Sequence, residues 1–229
     1  MSIHTRDALI VALGIVATCT AAPGRADSID PTKLPSHAAH IEAWVPPGWV
    51  LGEVARGDLN GDGVEDAVFT LKLKSNDKDG PAFDSEARVV AVVLGEHDGY
   101  RLLELDNKLV PGPGDLGVTG GDDAAVEPKI EKGILSFRWE GGSREGFSTV
   151  LKLRYEQDAM MVIGRDDESW DGMCEEPRQS VSTNYPTGAR IVTTSKEKPA
   201  DDGCKTVSRK ERRETLTRGA LPAAHFNWD

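Results

Sequence analysis

The sequence predicts an all-β protein made mainly of antiparallel strands. Glycine and proline are frequent, with 24 and 13 residues in a chain of 229. No long stretch shows the apolar period of a helix, whereas several short runs alternate between apolar and polar residues and are separated by turn residues. We therefore expect a single domain of β-meanders over about residues 40–215. The arrangement is expected to be propeller-like, with a β-sandwich as the alternative, because a complete propeller has about 4–8 blades and only one blade-type loop is visible.

The first half of the chain predicts four strands in succession. Pro46-Pro47-Gly48 forms a turn that leads into a strand reaching Val54, and residues 68–74 alternate with a period of two. Residues 88–94 are continuously apolar after the initial arginine, which is typical of a central strand buried on both faces. Residues 100–105 follow the next turn and complete a hairpin.

The second half predicts a further meander. Leu135, Phe137 and Trp139 are expected to face inward on one strand, residues 149–155 alternate on the next, and residues 160–164 continue the sheet. We interpret the aromatic residues in these strands as core rather than as parts of a cofactor site.

The longest irregular stretch, residues 109–127, contains a G-x-G-x-x-G pattern that begins at Gly112. Prolines at positions 111 and 113 flank its first glycine, and no helical pattern follows. The strand-to-helix frame of a dinucleotide-binding loop is therefore missing, and we interpret the glycines as turn residues.

The N-terminus predicts a secretory signal peptide over residues 1–26. Arg6 precedes an apolar stretch that is too short to span a membrane, and small residues before Asp27 allow cleavage. A lipoprotein alternative would use Cys19, but the threonine before it fits an acylation site poorly. Residues 27–39 are expected to form a loose leader and residues 216–229 a C-terminal tail, so the mature chain has no predicted transmembrane segment.

Removal of the signal peptide would remove Cys19 and leave two cysteines, Cys174 and Cys204, in an oxidising compartment. An even number of cysteines there predicts a disulfide between them. The segment between them reads as a β-hairpin that turns at Thr187-Gly188 and places the two cysteines nearly opposite each other. Two free thiols beside a metal are the alternative, but no histidine or further cysteine lies nearby in the sequence.

The chain is acidic, with a formal net charge of -11. Such a field disfavours nucleic acids and anionic membrane surfaces as partners and favours cations or basic proteins. The segment 205–218 is the exception, with six basic and two acidic residues. We interpret it as an edge strand whose charges prevent pairing with other chains, and a basic patch for an acidic partner is the alternative.

A single stretch has a spacing that implies a specific chemistry. Asp58, Asn60, Asp62 and Asp66 place oxygen side chains along a glycine-rich loop, and Val64 can add its backbone carbonyl. Calcium takes about 6–8 oxygen ligands, and the opening of the loop matches the start of an EF-hand loop. We therefore predict a calcium site.

The end of this loop differs from an EF-hand. Phe69 occupies the twelfth position, where an EF-hand has its bidentate glutamate, and the residues that follow alternate as a strand does. Asp66 is expected to close the site. An acidic turn that binds no ion is the alternative, and magnesium fits less well because it prefers rigid octahedral sites.

Several segments, taken in order, resemble a family of secreted bacterial proteins of unknown function that are described as FG-GAP or VCBS-like. The resemblance covers about residues 43–195 and is carried by GDLNGDGVEDAVFTL, DGYRLLELDN, EKGILSFRWEGGSREGF, STVLKLRYEQD and NYPTGARIVTTS. It implies a periplasmic or secreted β-sheet protein and supplies no catalytic residue. The chain departs from the family pattern at residues 120–125, so a recognition loop there would take a different partner.

We therefore predict a periplasmic or secreted calcium-binding protein that acts as a binding or structural module. Its partner would be a periplasmic protein or a component of the cell envelope. One alternative is a hydrolase of glycans or phosphoesters that uses the acids at 122–123 or 166–168, but no nucleophile elbow is present because Ser143 lacks the second flanking glycine. Another is an inhibitor or immunity-type protein that docks onto a basic secreted enzyme.

Overall fold

The protein folds into two antiparallel β-sheets that pack on each other. This computed structural model describes residues 28–74, 88–117, 126–201, 203–217 and 219–226. The predicted signal peptide, Cys19 and the departing loop at 120–125 lie outside these ranges. Within them, no helix is long and apolar enough to cross a membrane.

The first sheet has five strands in the order β1-β5-β4-β3-β2, and every neighbouring pair is antiparallel. The sequence of strands follows the predicted turns closely, including the hairpin between the fourth and fifth strands. The strands are β1 (His37–Ala38), β2 (Trp49–Gly57), β3 (Asp66–Leu73), β4 (Arg88–Glu96) and β5 (Gly99–Asp106).

The second sheet has eight strands, of which seven form a continuous antiparallel meander in the order β12-β11-β10-β9-β8-β7-β6. The eighth, β13, pairs with the start of β9. The strands are β6 (Glu127–Glu131), β7 (Ile134–Gly142), β8 (Glu145–Glu156), β9 (Ala159–Asp171), β10 (Arg178–Asn184), β11 (Ala189–Ala200), β12 (Gly203–Thr215) and β13 (Leu221–Pro222). Short 3-10 helices lie at Pro31–Lys33, Ile41–Trp44, Pro113–Leu116 and Ala223–His225.

The strands β3 and β4 of the first sheet are buried on both faces. One face contributes residues such as Val68 and Val92 to a core shared with Leu135 and Phe137 of the second sheet. Alternate residues such as Phe69 point to the opposite face, where residues from the N-terminal segment cover them. The prediction of a doubly buried β4 is confirmed, since eight of its nine residues are buried.

The all-β, antiparallel class is confirmed, whereas the propeller-like arrangement is not what these sheets form. Neither sheet closes on itself in the part of the chain that the structure describes. The physical reason is that the two meanders bury apolar faces against each other, so a single shared core replaces the radial packing of blades. This packing corresponds to the sandwich alternative.

Residues on both sides of the predicted 40–215 range take part in this packing. Ile29 is buried and donates its backbone N–H to Asn107 Oδ1 at 2.8 Å, so the described part of the expected leader is anchored to the first sheet. Trp44 is fully buried beside it and donates its indole N–H to the Pro35 carbonyl at 2.7 Å. At the other end, Phe226 is buried in the shared core.

The predicted disulfide between Cys174 and Cys204 is confirmed, with a Cα–Cα distance of 5.7 Å. The predicted geometry of one hairpin with the cysteines on its two strands is wrong. Cys174 lies in the turn after β9, and Cys204 lies on β12, where it pairs with Pro199. The reason is that β11 continues to Ala200 and turns back, so Cys204 belongs to a third strand.

Glu104 lies on β5 at the margin of the shared core, opposite Val92. Its Oε1 atom is buried without a hydrogen-bond partner among the described residues. Burial raises the pKa of Glu104 to about 7, and repulsion from Asp106 adds to the rise, while the backbone N–H groups of Met160 and Ala224 oppose it. The carboxyl group therefore keeps its proton to a higher pH than an exposed glutamate does, at a point where both sheets and the C-terminal segment meet.

Removing the disulfide is expected to destabilise the protein by about 3 kcal/mol, because the bond closes a loop with a sequence separation of 30. The double substitution Cys174→Ser with Cys204→Ser, measured by urea unfolding, tests this. Amide exchange should rise most near the tip of the β11–β12 hairpin. An unchanged unfolding midpoint would show that the sheets alone hold this end of the molecule.

Stability should fall as the pH rises from about 4.5 to about 7, because in this window the folded protein binds more protons at Glu104 than the unfolded chain does. Glu104→Gln removes this titration and is expected to stabilise the protein by about 2 kcal/mol at pH 8 and little at pH 4.5. The measurement is denaturant unfolding of each variant across this pH range, with Glu42→Gln, at an exposed position, as the control. Parallel pH profiles for wild type and Glu104→Gln would contradict the assignment.

Candidate functional site

The acidic loop connects β2 to β3 at the edge of the first sheet. Gly57, the last residue of β2, pairs with Asp66, the first residue of β3, and this pair closes the loop over residues 58–65. The strand predicted to follow the loop is confirmed, because β3 begins at Asp66 itself. The loop therefore has the loop-then-strand architecture that the sequence indicates.

Three of the predicted ligands turn their oxygens toward the backbone of the loop. Asp58 accepts from the N–H groups of Gly61 at 2.7 Å and Gly63 at 3.0 Å, one with each carboxylate oxygen. Asn60 Oδ1 accepts from Asp62 N–H at 3.0 Å, and the Asn60 amide donates to Asp62 Oδ2 at 2.8 Å. Both glycines have φ angles of +81°, a conformation that glycine adopts without strain.

Val64 continues the same pattern. Its backbone N–H donates to Asp62 Oδ1 at 2.8 Å, which holds it next to the side chains that the sequence assigns to the ion. Its side chain remains in contact with solvent. The predicted set of five therefore falls on one compact loop, with four members near the surface and Asp66 beneath them.

Asp66 differs from the other three side chains because it is fully buried. Its two oxygens accept from the N–H groups of Leu59 at 2.7 Å and Gly95 at 2.8 Å. Burial raises the pKa of Asp66 above its ordinary value, and the charge of Asp62 adds to the effect, while the backbone hydrogen bonds oppose it. No cationic side chain forms an ion pair with Asp66 among the described residues.

The contact with Gly95 ties the loop to β4. A Cβ atom at position 95 would lie 2.3 Å from the Glu65 carbonyl oxygen, so only glycine allows this close approach. The carboxylate of Asp66 thus joins the base of the loop to the central strand of the sheet.

The donor set suits a hard cation, because it consists of carboxylate and amide oxygens. Each carboxylate oxygen bound to an N–H group keeps a further lone pair for another partner. The side chains are nevertheless organised around backbone amides, and no three histidine, cysteine or acidic residues in the described ranges converge closely enough to hold a metal ion.

The acids at 166–168 on β9 do not form a facing catalytic pair. Asp166 contacts Lys152 Nζ at 2.5 Å, Asp167 contacts Arg165 Nε at 2.8 Å, and Glu168 contacts Arg178 at 2.8 Å. Successive residues of a strand point to opposite faces of the sheet, so Asp167 faces away from Asp166 and Glu168. The acids at 122–123 lie outside the described residues.

A cleft of about 790 Å³ is lined by strands of the second sheet, by residues 107–115 of the segment after β5 and by Arg88 of β4. Trp139, Phe147 and Val181 form part of its apolar wall, and Arg165 and Asp167 lie on its polar side. Its volume is within the range of small-molecule sites. No sequence pattern indicated this cleft, because its walls come from strands that are distant along the chain.

Asp171, at the end of β9, is a second residue that the sequence did not single out. Its buried side chain accepts from the backbone N–H groups of Met173, Glu175 and Glu176, and these bonds hold the pKa of Asp171 below its ordinary value. Arg144 approaches the same carboxylate from the β7–β8 turn at 3.4 Å. The Asp-Gly pair at 171–172 predicts a turn. It does not predict that this turn is joined to β12 through Cys174.

No protein-family model, curated protein or solved structure matches this chain. The resemblance to FG-GAP or VCBS-like proteins therefore stays a prediction from motifs.

Proposed function

We propose that this protein is a binding module of an oxidising compartment such as the periplasm, and that the loop after β2 holds a calcium ion that stabilises it. The observation that carries the proposal is the buried carboxylate of Asp66 directly beneath three further oxygen side chains. A buried carboxylate without a cationic partner favours a cation nearby. The disulfide supports the compartment.

The ion would act as scaffold. Asp58, Asn60, Asp62 and Asp66, with the Val64 carbonyl, are the groups that would hold it. Burial raises the pKa of Asp66, and repulsion from Asp62 adds to the rise; the charge of the ion would offset that repulsion. Because Asp66 also binds Gly95, an ordered loop would fix the edge of the first sheet to its central strand.

The cleft supports a role in binding. Its apolar wall and the polar groups beside it resemble the composition of ligand sites. Of its three acids, Asp167 is held by Arg165 and by the Thr149 hydroxyl at 2.9 Å, Glu168 contacts Arg178 at 2.8 Å, and Asp115 accepts from Gly112 N–H at 2.9 Å. These acids have structural partners, so we favour binding over hydrolysis.

Calcium is expected to raise the melting temperature of the mature protein relative to the same protein in chelator. At about 100 times the dissociation constant, the stabilisation is about 2.7 kcal/mol, which corresponds to an increase on the order of 5–10 °C for a chain of this size. Magnesium should give a smaller shift. Differential scanning calorimetry at fixed ionic strength provides the measurement.

Asp62→Ala should abolish the calcium-dependent shift, because it removes one ligand and leaves the buried Asp66 in place. Asp98→Ala, in the exposed turn between β4 and β5, is the matched control and should keep the shift. Equal melting temperatures in calcium and chelator for the wild type would overturn the proposal. An equal calcium shift in wild type and Asp62→Ala would do the same.

A further inference from the structure

The β11–β12 hairpin extends beyond the rest of the second sheet. Pairing of β10 with β11 ends at the Arg178–Ser195 pair, so beyond this point β11 and β12 pair only with each other. On its other side, β12 has no neighbouring strand among the described residues along its thirteen residues. This free edge is about 40 Å long and offers backbone N–H and C=O groups to an added strand.

The outer part of this hairpin carries a cluster of exposed cations, which we call the basic hairpin. None of its basic residues forms an ion pair with a described residue. The nearby Glu197 is not available to them, because its side chain is largely buried and contacts Arg178 Nε at 3.3 Å. The basic residues are Lys196, Lys198, Lys205, Arg209 and Lys210.

Two of these cations face each other directly. Lys198 of β11 pairs with Lys205 of β12 in the ladder. Like charges at directly opposite positions destabilise a sheet. An anionic group placed between or beside them would remove this repulsion, so the hairpin gains stability from an anionic partner.

The basic hairpin is held in place at its tip. Cys204 joins it to the turn after β9, and the Asp171 carboxylate organises that turn through three backbone N–H groups. Two apolar side chains are exposed in this region, Met173 and Val207, at 57% and 53% of their full accessible area. A preorganised edge loses less conformational entropy when a partner binds.

The alternation of the charges indicates which anionic partner fits. Arg209 pairs with Ser195 and Lys210 with Thr194, so their side chains point to opposite faces of the hairpin. A flat membrane surface could reach only one of these faces. An extended polypeptide beside β12 has side chains on both faces, and acidic residues along it would meet both sets of cations.

We propose that the free edge of β12, with the basic hairpin, docks an acidic extended segment of a partner protein as an additional β-strand. Backbone hydrogen bonds give the affinity, and the exposed cations select acidic side chains. Basic side chains on an edge also disfavour neutral or basic strands, so the same residues exclude indiscriminate pairing. The net charge of -11 opposes the approach of any polyanion at a distance, so the attraction for an acidic segment is confined to the basic hairpin. The inference is independent of the calcium proposal.

The test uses the mature, disulfide-bonded protein and a fluorescent thirteen-residue peptide in which glutamate occurs on both faces of the extended chain and the remaining positions are threonine and valine. Fluorescence anisotropy is expected to show saturable binding that weakens as salt is added. The double variant Arg209→Glu with Lys210→Glu should weaken binding at least tenfold. Arg209→Lys with Lys210→Arg keeps both charges and should keep the affinity.

The charge control uses two lysines that lie outside the β11–β12 hairpin. Lys129 on β6 and Lys33 near the N-terminus are exposed, and the double variant Lys33→Glu with Lys129→Glu changes the net charge by the same amount. It should bind the peptide within a factor of two of the wild type. Circular dichroism and a thiol assay establish that each variant is folded and oxidised.

Methylation of the peptide nitrogens distinguishes strand pairing from charge attraction. In an added strand, alternate N–H groups face β12, so methylation of one alternating set should abolish binding while methylation of the other set leaves it nearly unchanged. The proposal would be overturned if both methylated peptides lost binding equally, or if neither lost it. The absence of saturable binding would also overturn it, as would anionic vesicles competing as well as the unlabelled peptide does.

Discussion

The burial of β3 and β4 on both faces is the constraint on which the rest of the structure depends. A strand with one apolar face has its register fixed by burial, because a slip of one residue exposes its apolar side chains. β4 is apolar on both faces, so burial alone does not penalise such a slip. Its register must come from contacts that tolerate no shift, and the Asp66 carboxylate bound to Gly95 N–H is such a contact.

This contact gives the acidic loop a structural role whatever occupies it. Residue 95 must be glycine because the Glu65 carbonyl lies where a side chain would begin. Asp66 must remain an acceptor because the N–H groups of Leu59 and Gly95 both point at it. The loop, the first residue of β3 and the central strand therefore form one unit, and a bound cation would strengthen a junction that the fold already uses.

The strands of the second sheet differ in how much apolar core they contribute. Its first strands contribute Leu135, Phe137 and Leu151 to the shared core. The edge strand β12 is exposed along nearly its whole length and makes no comparable apolar contacts. The disulfide lies at this exposed end, where a covalent link replaces missing core. The chain thus separates an apolar, packed half from a basic, solvent-facing hairpin.

Most of the strands and the disulfide partners could be predicted from local signals, since alternation, turn residues and an even number of cysteines all act within short segments. The strands β1, β6 and β13 and the division of the strands between the two sheets were not predicted. The loop residues from Asp58 to Asp66 were also visible for this reason, although the burial of Asp66 was not. The sequence alone therefore determined the β class, the oxidised pair and the acidic loop. Only the tertiary structure decided that the two meanders share one core, that Cys204 lies on a third strand and that Glu104 is partly buried, because these depend on which faces pack together across long sequence separations.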